Sequence, residues 1–584
     1  MPAKPQVVIP GCGTVQGVQA ELQPTVAKFL NIPYATVVER WRPAVKAAPW
    51  SGVRDCSVLG PACPQPANEN PLANLTNNPK VAAALSSIQY SEEHCLNMNI
   101  YTPLEHLTKA QTLIPVMVWI HGGGLMSGSN ALPLYDGTNF AARSIQLGRP
   151  IILVSINYRL NYLGFMSSRE LIQDVHSSPG GTKTTVGNWG LLDQGMALEW
   201  VRDHIHNFGG NAADVTVFGE SAGATSIGYH LLIPGHHGLF QRAIMQSGTP
   251  TTMAAGRAEI EGQRYFDHLC RHFQLDDDYV KKTSSEEKTL TAEEKMRRLR
   301  AIPATELVKA GDKGRVGMFT PTIDNVLISA DVRDTIHDPT RYDPGLKAVM
   351  LGDCRDEGQA FMPTIGARSM KRWEKFVARY CPPTDEDRKE FESMYGVAKT
   401  DKEARRISAQ VLTDAVFAYP NYAASVALMK TLQLQSPQHQ QRQLEMVRFH
   451  FDRPLQLLDD MGLRTLGAYH GSELPYVFGS DASRLILSEN EKALSQQMMD
   501  IWILFAWGET SRRYGLRHGL QSLLPKHALS QEAILFTETC AVERGLTERM
   551  DHQKVAFWQR YEQWVRQRRA RQYAALAKQA QNKL

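Results

Sequence analysis

The chain of 584 residues is long enough for one large α/β domain with insertions or for several smaller domains. Its composition, with 43% hydrophobic and 21% charged residues, is ordinary for a globular protein with a large core. The net charge of +4 is small, and positive charge is concentrated after His552, where eight Lys or Arg residues accompany one acid. The main body is therefore nearly neutral, which gives no support to nucleic-acid binding.

Targeting and membrane signals are weak in this sequence. The first ten residues lack the apolar segment of a signal peptide, and no apolar run approaches the roughly 18 residues that span a bilayer. Eight cysteines in a chain of this length do not make a disulfide-dense scaffold. We therefore expect an intracellular, cytoplasmic protein without a transmembrane segment. The sequence gives no indication of its oligomeric state.

The first part of the chain predicts short strands and one long polar loop. Residues 7–38 have the pattern of short alternating strands with turns, and residues 98–101 also predict a strand. Ile114–Ile120 is almost wholly apolar, as a central parallel strand should be. Between Cys63 and Cys95 lies a polar segment, which we interpret as a surface loop.

A glycine run follows this apolar strand directly, and it reads His121-Gly122-Gly123-Gly124. Three glycines let the backbone approach a ligand closely and direct its N–H groups inward. We predict an oxyanion hole formed by the N–H groups of Gly123 and Gly124, together with that of Ala222. A flexible glycine hinge is the alternative, which the position after a buried strand disfavours.

Strands and helices alternate between residues 114 and 247. A further apolar strand is predicted at 151–157, followed by a polar loop at 167–185 and an amphipathic helix. Another strand is predicted at 241–247, after this helix and the motif described in the next paragraph. This alternation predicts an α/β fold with a doubly wound, mostly parallel sheet.

The most informative motif lies within residues 208–223. Residues 215–218 are long enough for a buried strand, and the segment from residue 224 to residue 232 predicts a helix. Between them the chain reads Gly219-Glu220-Ser221-Ala222-Gly223, the pattern of a nucleophile elbow that exposes a serine hydroxyl above a sheet. A plain glycine turn is the alternative, but the flanking strand and helix favour a nucleophile at Ser221.

Beyond residue 256 the chain is mostly helical and charged. We interpret residues 276–300 as solvated surface, whereas 347–351 and 446–451 predict two more strands. Three acids follow the first of these strands, and His470 lies in a loop after the second; the acids are Asp353, Asp356 and Glu357. The residues alone leave open which acid, and which of the 18 histidines, would act with a serine nucleophile.

These motifs, in this order, resemble those of the type-B carboxylesterases, the cholinesterase-like branch of the α/β-hydrolases. The resemblance covers almost everything from Val15 to Trp558, and it is carried by residues 121–124, 187–194, 208–223, 356–358, 470–479 and 499–502. It implies an α/β-hydrolase fold: a central, mostly parallel twisted sheet with helices on both faces and large helical insertions. We expect one domain over residues 7–565 and a basic C-terminal tail over 566–584.

The resemblance also implies a catalytic triad. Ser221 would be the nucleophile, His470 the general base, and Glu357 the acid that orients the imidazole. It further implies that Glu220 and Ser247 line the site as secondary polar groups. No metal and no organic cofactor would be required.

Departures from the family pattern bear on the substrate and on the cysteines. Cys63 and Cys95 match the family's first disulfide, although in a reducing compartment they could remain inert buried thiols. The loop between them contains no tryptophan, which cholinesterases use to bind a quaternary ammonium. We therefore expect a small-molecule ester that is neutral and fairly apolar as the substrate, rather than a choline ester.

Two other functions and one other location stay open at this point. The same triad could serve an acyltransferase or a lactonase of secondary metabolism, and the fold also occurs in non-catalytic adhesion proteins, which typically lose the serine. The chain ends Asn582-Lys583-Leu584, which resembles a peroxisomal address with a substituted first residue. A solvated basic helix end is the alternative interpretation of that tail.

Overall fold

An eleven-stranded mixed sheet forms the centre of the described part of the chain. The computed structural model describes residues 4–66, 79–108, 112–177, 184–277, 289–314, 318–433, 444–461, 463–509, 532–537, 540–544 and 550–581. In chain order the strands are β1 Gln6–Ile9, β2 Gly13–Gln16, β3 Val18–Gln19, β4 Val26–Pro33, β5 Ala35–Thr36, β6 Val45–Lys46, β7 Val53–Asp55, β8 Asn97–Pro103, β9 Ile114–Ile120, β10 Ile152–Ile156, β11 Gly210–Glu220, β12 Arg242–Gln246, β13 Gly256–Arg257, β14 Thr322–Ile323, β15 Ala348–Cys354, β16 Glu445–Phe451, β17 Glu532–Phe536 and β18 Cys540–Arg544.

The helices lie between these strands and in two long insertions. The α-helices are Pro79–Ser86, Leu104–Thr108, Thr138–Gln146, Asn161–Phe165, Arg169–His176, Trp189–His204, Ala222–His230, Gln263–His272, Ala292–Ala301, Ala304–Gly314, Val332–Thr335, Met370–Tyr380, Asp385–Tyr395, Asp401–Leu412, Tyr419–Gln433, Gln456–Asp460, Leu474–Phe478, Asp481–Arg484, Glu489–Ala506 and His552–Gln581. Single turns of 3₁₀ helix include Ile205–Phe208 and Glu357–Phe361.

The strand order of the central sheet is β18-β17-β16-β15-β12-β11-β9-β10-β8-β4-β3. Neighbouring strands from β10 across to β17 are parallel. At one edge β8, β4 and β3 join in antiparallel pairs, and β18 does so at the other. The predicted α/β-hydrolase fold with a mostly parallel sheet is therefore confirmed.

Apolar side chains cover both faces of this sheet, as its uniformly apolar central strands require. In β9 all seven residues are buried. Val116, Val118 and Ile120 belong to the core cluster on one face, whereas Met117 and Trp119 belong to the cluster on the other face. This alternation follows from the two-residue period of a strand, and helices pack over both clusters.

A third core cluster lies within the helical insertion that follows β15. It joins the helices Met370–Tyr380, Asp385–Tyr395 and Asp401–Leu412 to Phe557 and Trp558 of the C-terminal helix. The Trp558 Nε1–H group donates to the Tyr395 hydroxyl at 3.0 Å. Since one helix, His552–Gln581, runs across the predicted boundary at residue 565, the division into body and tail stays a prediction.

Two expectations about surface segments were wrong. The stretch 167–185, predicted as a polar loop, contains the helix Arg169–His176, which buries Leu171 and Val175 and is capped by Ser168. The stretch 276–300, predicted as surface only, contains the helix Ala292–Ala301, which buries Met296 and Leu299. In both stretches a few apolar residues at helical spacing outweighed a polar average composition.

None of the helices within the described ranges is long and apolar enough to cross a membrane. The C-terminal tripeptide Asn582-Lys583-Leu584, on which the peroxisomal alternative depends, lies outside the described residues.

Candidate active site

The candidate site lies at the carboxyl edge of the parallel strands. In the β-ladders Gly219 pairs with Ile120, Glu220 with Gln246, and Gln246 with Gly352. The residues that follow β9, β11, β12 and β15 therefore meet at one edge of the sheet. This is the edge at which open α/β sheets bind their ligands.

Ser221 stands at the turn between β11 and the helix Ala222–His230. Its backbone has a φ of 55° and a ψ of −118°, a conformation that non-glycine residues rarely adopt. Its N–H group donates to the carbonyl oxygen of Gln246 at 2.8 Å. A Cβ atom on Gly223 would lie 2.0 Å from the Ile120 carbonyl oxygen, so this sharp turn requires glycine there.

The glycine run after β9 packs against this turn. A Cβ atom on Gly122 would lie 3.2 Å from the Cβ atom of Ser221. Gly123 has a φ of 105°, and a Cβ atom there would lie 2.1 Å from the Ser127 carbonyl oxygen. The Tyr158 hydroxyl donates to the His121 carbonyl oxygen at 2.7 Å and so holds the start of the run.

Ala222 completes the group of predicted oxyanion donors. It is the first residue of the helix Ala222–His230, whose first N–H groups have no partner within the helix. Gly124, the remaining predicted donor, also has a positive φ of 65°. The structure thus brings the three predicted donor residues to the same edge of the sheet as Ser221, while their roles stay predictions.

Glu357 and His470 form a short hydrogen bond. The His470 Nδ1–H group donates to Glu357 Oε2 at 2.6 Å, and the Cys354 N–H group donates to Glu357 Oε1 at 2.7 Å. Glu357 is completely buried, and these two protein donors satisfy both oxygens of its carboxylate. A neutral imidazole with its proton on Nδ1 leaves Nε2 free to act as a base.

The geometry separates Glu357 from the other two acids that follow β15. Asp353 Oδ1 accepts from His450 at 2.7 Å, on β16. Asp356 accepts from the backbone N–H of Ala468 at 3.0 Å, and its own N–H donates to the Ala468 carbonyl oxygen at 2.8 Å. Asp356 therefore fastens the loop that carries His470 to the loop that carries Glu357, and only Glu357 of the three contacts the His470 ring.

Glu220 lies on the other side of the same imidazole. Its Oε1 atom is 3.0 Å from His470 Nε2, although neither atom makes a hydrogen bond within the described part of the chain. Burial disfavours a charged imidazole, but the carboxylates of Glu220 and Glu357 outweigh burial and raise the pKa of His470 well above its ordinary value.

Two aromatic rings pack on His470. The ring centroid of Phe417 lies 4.6 Å from that of His470, and the centroid of Phe361 lies 5.0 Å away. The two phenyl rings also stack on each other at 5.3 Å. The surroundings of the imidazole are therefore apolar on this side.

The sequence analysis did not identify two buried residues next to the triad candidates, Cys354 and Glu473. Both are completely buried, and the Cys354 thiol donates to Glu473 Oε2 at 3.2 Å. Burial and the charges of Glu220 and Glu357 raise the pKa of Glu473 to about 7, against the opposing effect of hydrogen bonds from Cys354 and Gln246. The position of Glu473, three residues after His470, was the available signal.

Ser247, Cys63 and Cys95 are the remaining predicted residues. Ser247 has a φ of 50°, and its Oγ atom is 3.9 Å from Cys354 Sγ; its role stays a prediction. Cys63 and Cys95 are both buried free thiols. A hydrogen bond with Cys63, aided by burial, raises the pKa of Cys95 well above its ordinary value, so the two thiols are neighbours. Their predicted pairing as a disulfide also stays a prediction.

A serine on a strand-to-helix turn, a glycine run beside it and an acid–histidine pair at the carboxyl edge of such a sheet define an α/β-hydrolase. The sequence model of the carboxylesterase family matches residues 3–558. The chain belongs to the carboxylesterase family.

Known relatives agree with this assignment. The chain is 30% identical over 591 residues to the liver carboxylesterase of Sus scrofa, an alignment that covers 95% of this chain and 93% of that protein. It is 29% identical over 530 residues to the para-nitrobenzyl esterase of Bacillus subtilis (strain 168), with 86% and 89% covered. A solved PNB esterase structure matches with a TM-score of 0.69 at 26% identity, covering 95% of this chain and 99% of that one.

The predicted family and enzyme class are therefore confirmed. The protein is a carboxylesterase, an enzyme that hydrolyses carboxylic ester bonds in small molecules.

Proposed function

We propose that the enzyme hydrolyses neutral, fairly apolar esters in two steps, through an acyl group carried by Ser221. The hydrogen bond of 2.6 Å between His470 and Glu357, beside a serine in a strained turn, supports this mechanism most strongly. An oriented imidazole next to an exposed hydroxyl is the arrangement that serine hydrolases use to activate a nucleophile.

In the first step the Ser221 oxygen attacks the ester carbonyl carbon while His470 Nε2 takes the hydroxyl proton. To do so, His470 exchanges its contact with Glu220 Oε1 for one with Ser221. Glu357 stabilises the imidazolium that forms, because its carboxylate already accepts the Nδ1–H group. The imidazolium then protonates the leaving alcohol as the carbon–oxygen bond breaks.

The negative charge on the carbonyl oxygen is held by the N–H groups of Gly123, Gly124 and Ala222. Backbone donors fixed in this way cost no reorganisation during the reaction, and each is worth about 3 kcal/mol of transition-state stabilisation. In the second step, water attacks the acyl group with His470 as the base, and the carboxylic acid is released. Every step uses side chains, backbone donors and water, without a metal or cofactor.

The surroundings of His470 support an apolar substrate. The partly buried Phe361 and the buried Phe417 pack on the imidazole and make its surroundings apolar. The loop between Cys63 and Cys95 has no tryptophan to bind a quaternary ammonium. Uncharged acyl and alcohol groups therefore suit this site best.

A series of p-nitrophenyl esters, from acetate to decanoate, tests the proposal. We expect the wild type to hydrolyse them, with an optimum that reports the acyl size, and Ser221→Ala to lose the activity while keeping its circular dichroism spectrum. Ser247→Ala serves as the matched serine control, and it should retain measurable activity. A folded Ser221→Ala variant with wild-type activity would refute the mechanism, and ester products formed with added alcohol would indicate an acyltransferase instead.

A further inference from the structure

The buried carboxyl group of Glu473 contacts the two residues whose backbones hold Ser221 and Glu357. Glu473 lies directly before the helix Leu474–Phe478 and is completely buried. Its Oε1 atom accepts from the Gln246 side-chain amide at 3.0 Å, and its Oε2 atom accepts from the Cys354 thiol at 3.2 Å. Both carboxyl oxygens are thus held by side chains that end neighbouring parallel strands, β12 and β15.

The backbones of these same two residues hold Ser221 and Glu357. The Gln246 carbonyl oxygen accepts the Ser221 N–H group at 2.8 Å. The Cys354 N–H group donates to Glu357 Oε1 at 2.7 Å. Glu473 is therefore connected to Ser221 through Gln246 and to Glu357 through Cys354. It also follows His470 by three residues in the chain.

The amide orientation of Gln246 is fixed by a further contact. The Trp502 Nε1–H group donates to Gln246 Oε1 at 3.0 Å, so the Gln246 NH₂ group must face Glu473. Trp502 is itself fully buried in the helix Glu489–Ala506. The Glu473 carboxyl group is therefore held by the Gln246 amide on one side and by the Cys354 thiol on the other.

We infer that Glu473 is a positioning residue of the esterase, one that keeps Ser221 and Glu357 in register with His470 by binding the side chains of Gln246 and Cys354. This inference rests on the proposed function, because it assigns Glu473 a role in the reaction of Ser221.

The charge of Glu473 couples to the same reaction. The titratable groups that interact with it are Glu220, Glu357, Cys354, Tyr135 and Tyr469, and His470 lies three residues before it. Glu473 is buried near the carboxylates of Glu220 and Glu357, and burial together with their negative charges disfavours the loss of its proton. When Glu473 loses its proton, the added negative charge favours the imidazolium form of His470, which cannot act as a base.

Two substitutions at Glu473 test the inference. Glu473→Ala removes both contacts, and we expect kcat to fall about 100-fold with little change in KM, as for other small displacements of catalytic groups. Glu473→Gln keeps the volume, can accept from Gln246 and can donate to the Cys354 sulfur, so it should restore most of kcat. Because it cannot ionise, the acid limb of its kcat/KM profile should lie at lower pH than that of the wild type.

The matched control is Glu491→Gln, which alters another buried carboxyl group. Glu491 accepts from the Tyr476 hydroxyl at 2.9 Å and from the Gln456 N–H group at 2.7 Å, away from the triad candidates. We expect this change to lower stability but to leave the pH profile unmoved. Cys354→Ala, which removes the thiol and keeps the backbone donor, should lower kcat about three- to tenfold and serves if Glu473→Ala does not fold.

The outcomes separate this inference from the mechanism on which it rests. If Ser221→Ala abolishes hydrolysis while Glu473→Gln keeps the wild-type acid limb, the positioning role is wrong and the nucleophile stands. A folded Glu473→Ala or Cys354→Ala variant with the wild-type kcat would also overturn the positioning role of Glu473. If Ser221→Ala remains active, the mechanism itself fails.

Discussion

His470 lies between two carboxylates, and its Nε2 atom is 3.0 Å from Glu220 Oε1 while its Nδ1–H group donates to Glu357 Oε2 at 2.6 Å. In the proposed mechanism the same Nε2 atom takes the proton of Ser221. Glu220 thus stabilises the charged form of the imidazole, in which Nε2 carries a proton. A neutral imidazole loses this attraction and is free to approach Ser221.

This relationship predicts the pH dependence of a Glu220→Gln variant. Removing one of two carboxylates lowers the pKa of His470, because less negative charge then remains to stabilise the imidazolium. Hydrolysis requires the neutral form, so the acid limb of kcat/KM should move to lower pH. Glu93→Gln, which removes an exposed carboxylate, is the control. An acid limb that stays in place in Glu220→Gln, or moves to higher pH, would contradict the prediction.

If Glu357 is the acid of the triad, amide substitutions of Glu357 and of Asp356 should have unequal effects on kcat. Glu357→Gln leaves the shape intact but no longer orients His470 as a base, and we expect kcat to fall by about 10,000-fold, as when a serine protease loses its triad acid. Asp356→Asn weakens the contacts of that carboxylate with the Ala468 N–H group and with Arg355 but leaves the Glu357–His470 hydrogen bond in place, so its kcat should fall far less. Steady-state kinetics on one p-nitrophenyl ester compares the two. Equal losses would remove the distinction between these acids.

The glycine run predicts a difference between two neighbouring alanine substitutions. A Cβ atom on Gly123 would strike the Ser127 carbonyl oxygen, whereas nothing lies within 4 Å of a Cβ atom on Gly124. Gly123→Ala must therefore move a predicted oxyanion donor, and we expect a loss of about 100-fold or more in kcat. Gly124→Ala keeps its donor in place and bears mainly the cost of a left-handed backbone, about 1 kcal/mol. The prediction fails if Gly124→Ala is the more damaging change.

A buried ion pair predicts a large effect on stability. Arg159 and Asp193 are almost fully buried and form a bidentate pair, with both distances at 2.7 Å. Asp193→Asn leaves the arginine charge without its partner, which should lower the free energy of unfolding by about 3 to 5 kcal/mol. The exposed pair of Arg202 and Asp203 provides the control, since Asp203→Asn should cost under about 1 kcal/mol. Urea unfolding followed by fluorescence measures both, and equal effects would refute the prediction.

The sequence allowed the prediction of those parts of the fold that depend on local pattern. The apolar run of β9, the strand before Ser221 and the helix after it stand close to where hydrophobic periodicity indicated. The fold and the enzyme class followed from the order of motifs. Glu357 and His470 lie 113 residues apart in the chain, and their contact was implied only by the family resemblance.

Contacts between distant residues of no known motif could not be predicted. Gln246, Cys354 and Glu473 come from three separate segments, and nothing in their local patterns indicates that they meet. The contact of Glu220 with His470 depends on a side-chain orientation set by packing. The helices Arg169–His176 and Ala292–Ala301 were missed because their buried faces are narrow, with two residues each.

The claim that Ser221 carries the acyl group is tested most directly by covalent labelling. Incubation with an organophosphate that phosphorylates nucleophilic serines, followed by peptide mass spectrometry, locates the modified residue. We predict one adduct on the peptide that contains Ser221, formed in parallel with loss of ester hydrolysis, absent from Ser221→Ala and retained in Ser247→Ala. Inactivation that labels another residue, or a folded Ser221→Ala variant that still hydrolyses esters at the wild-type rate, would contradict the account.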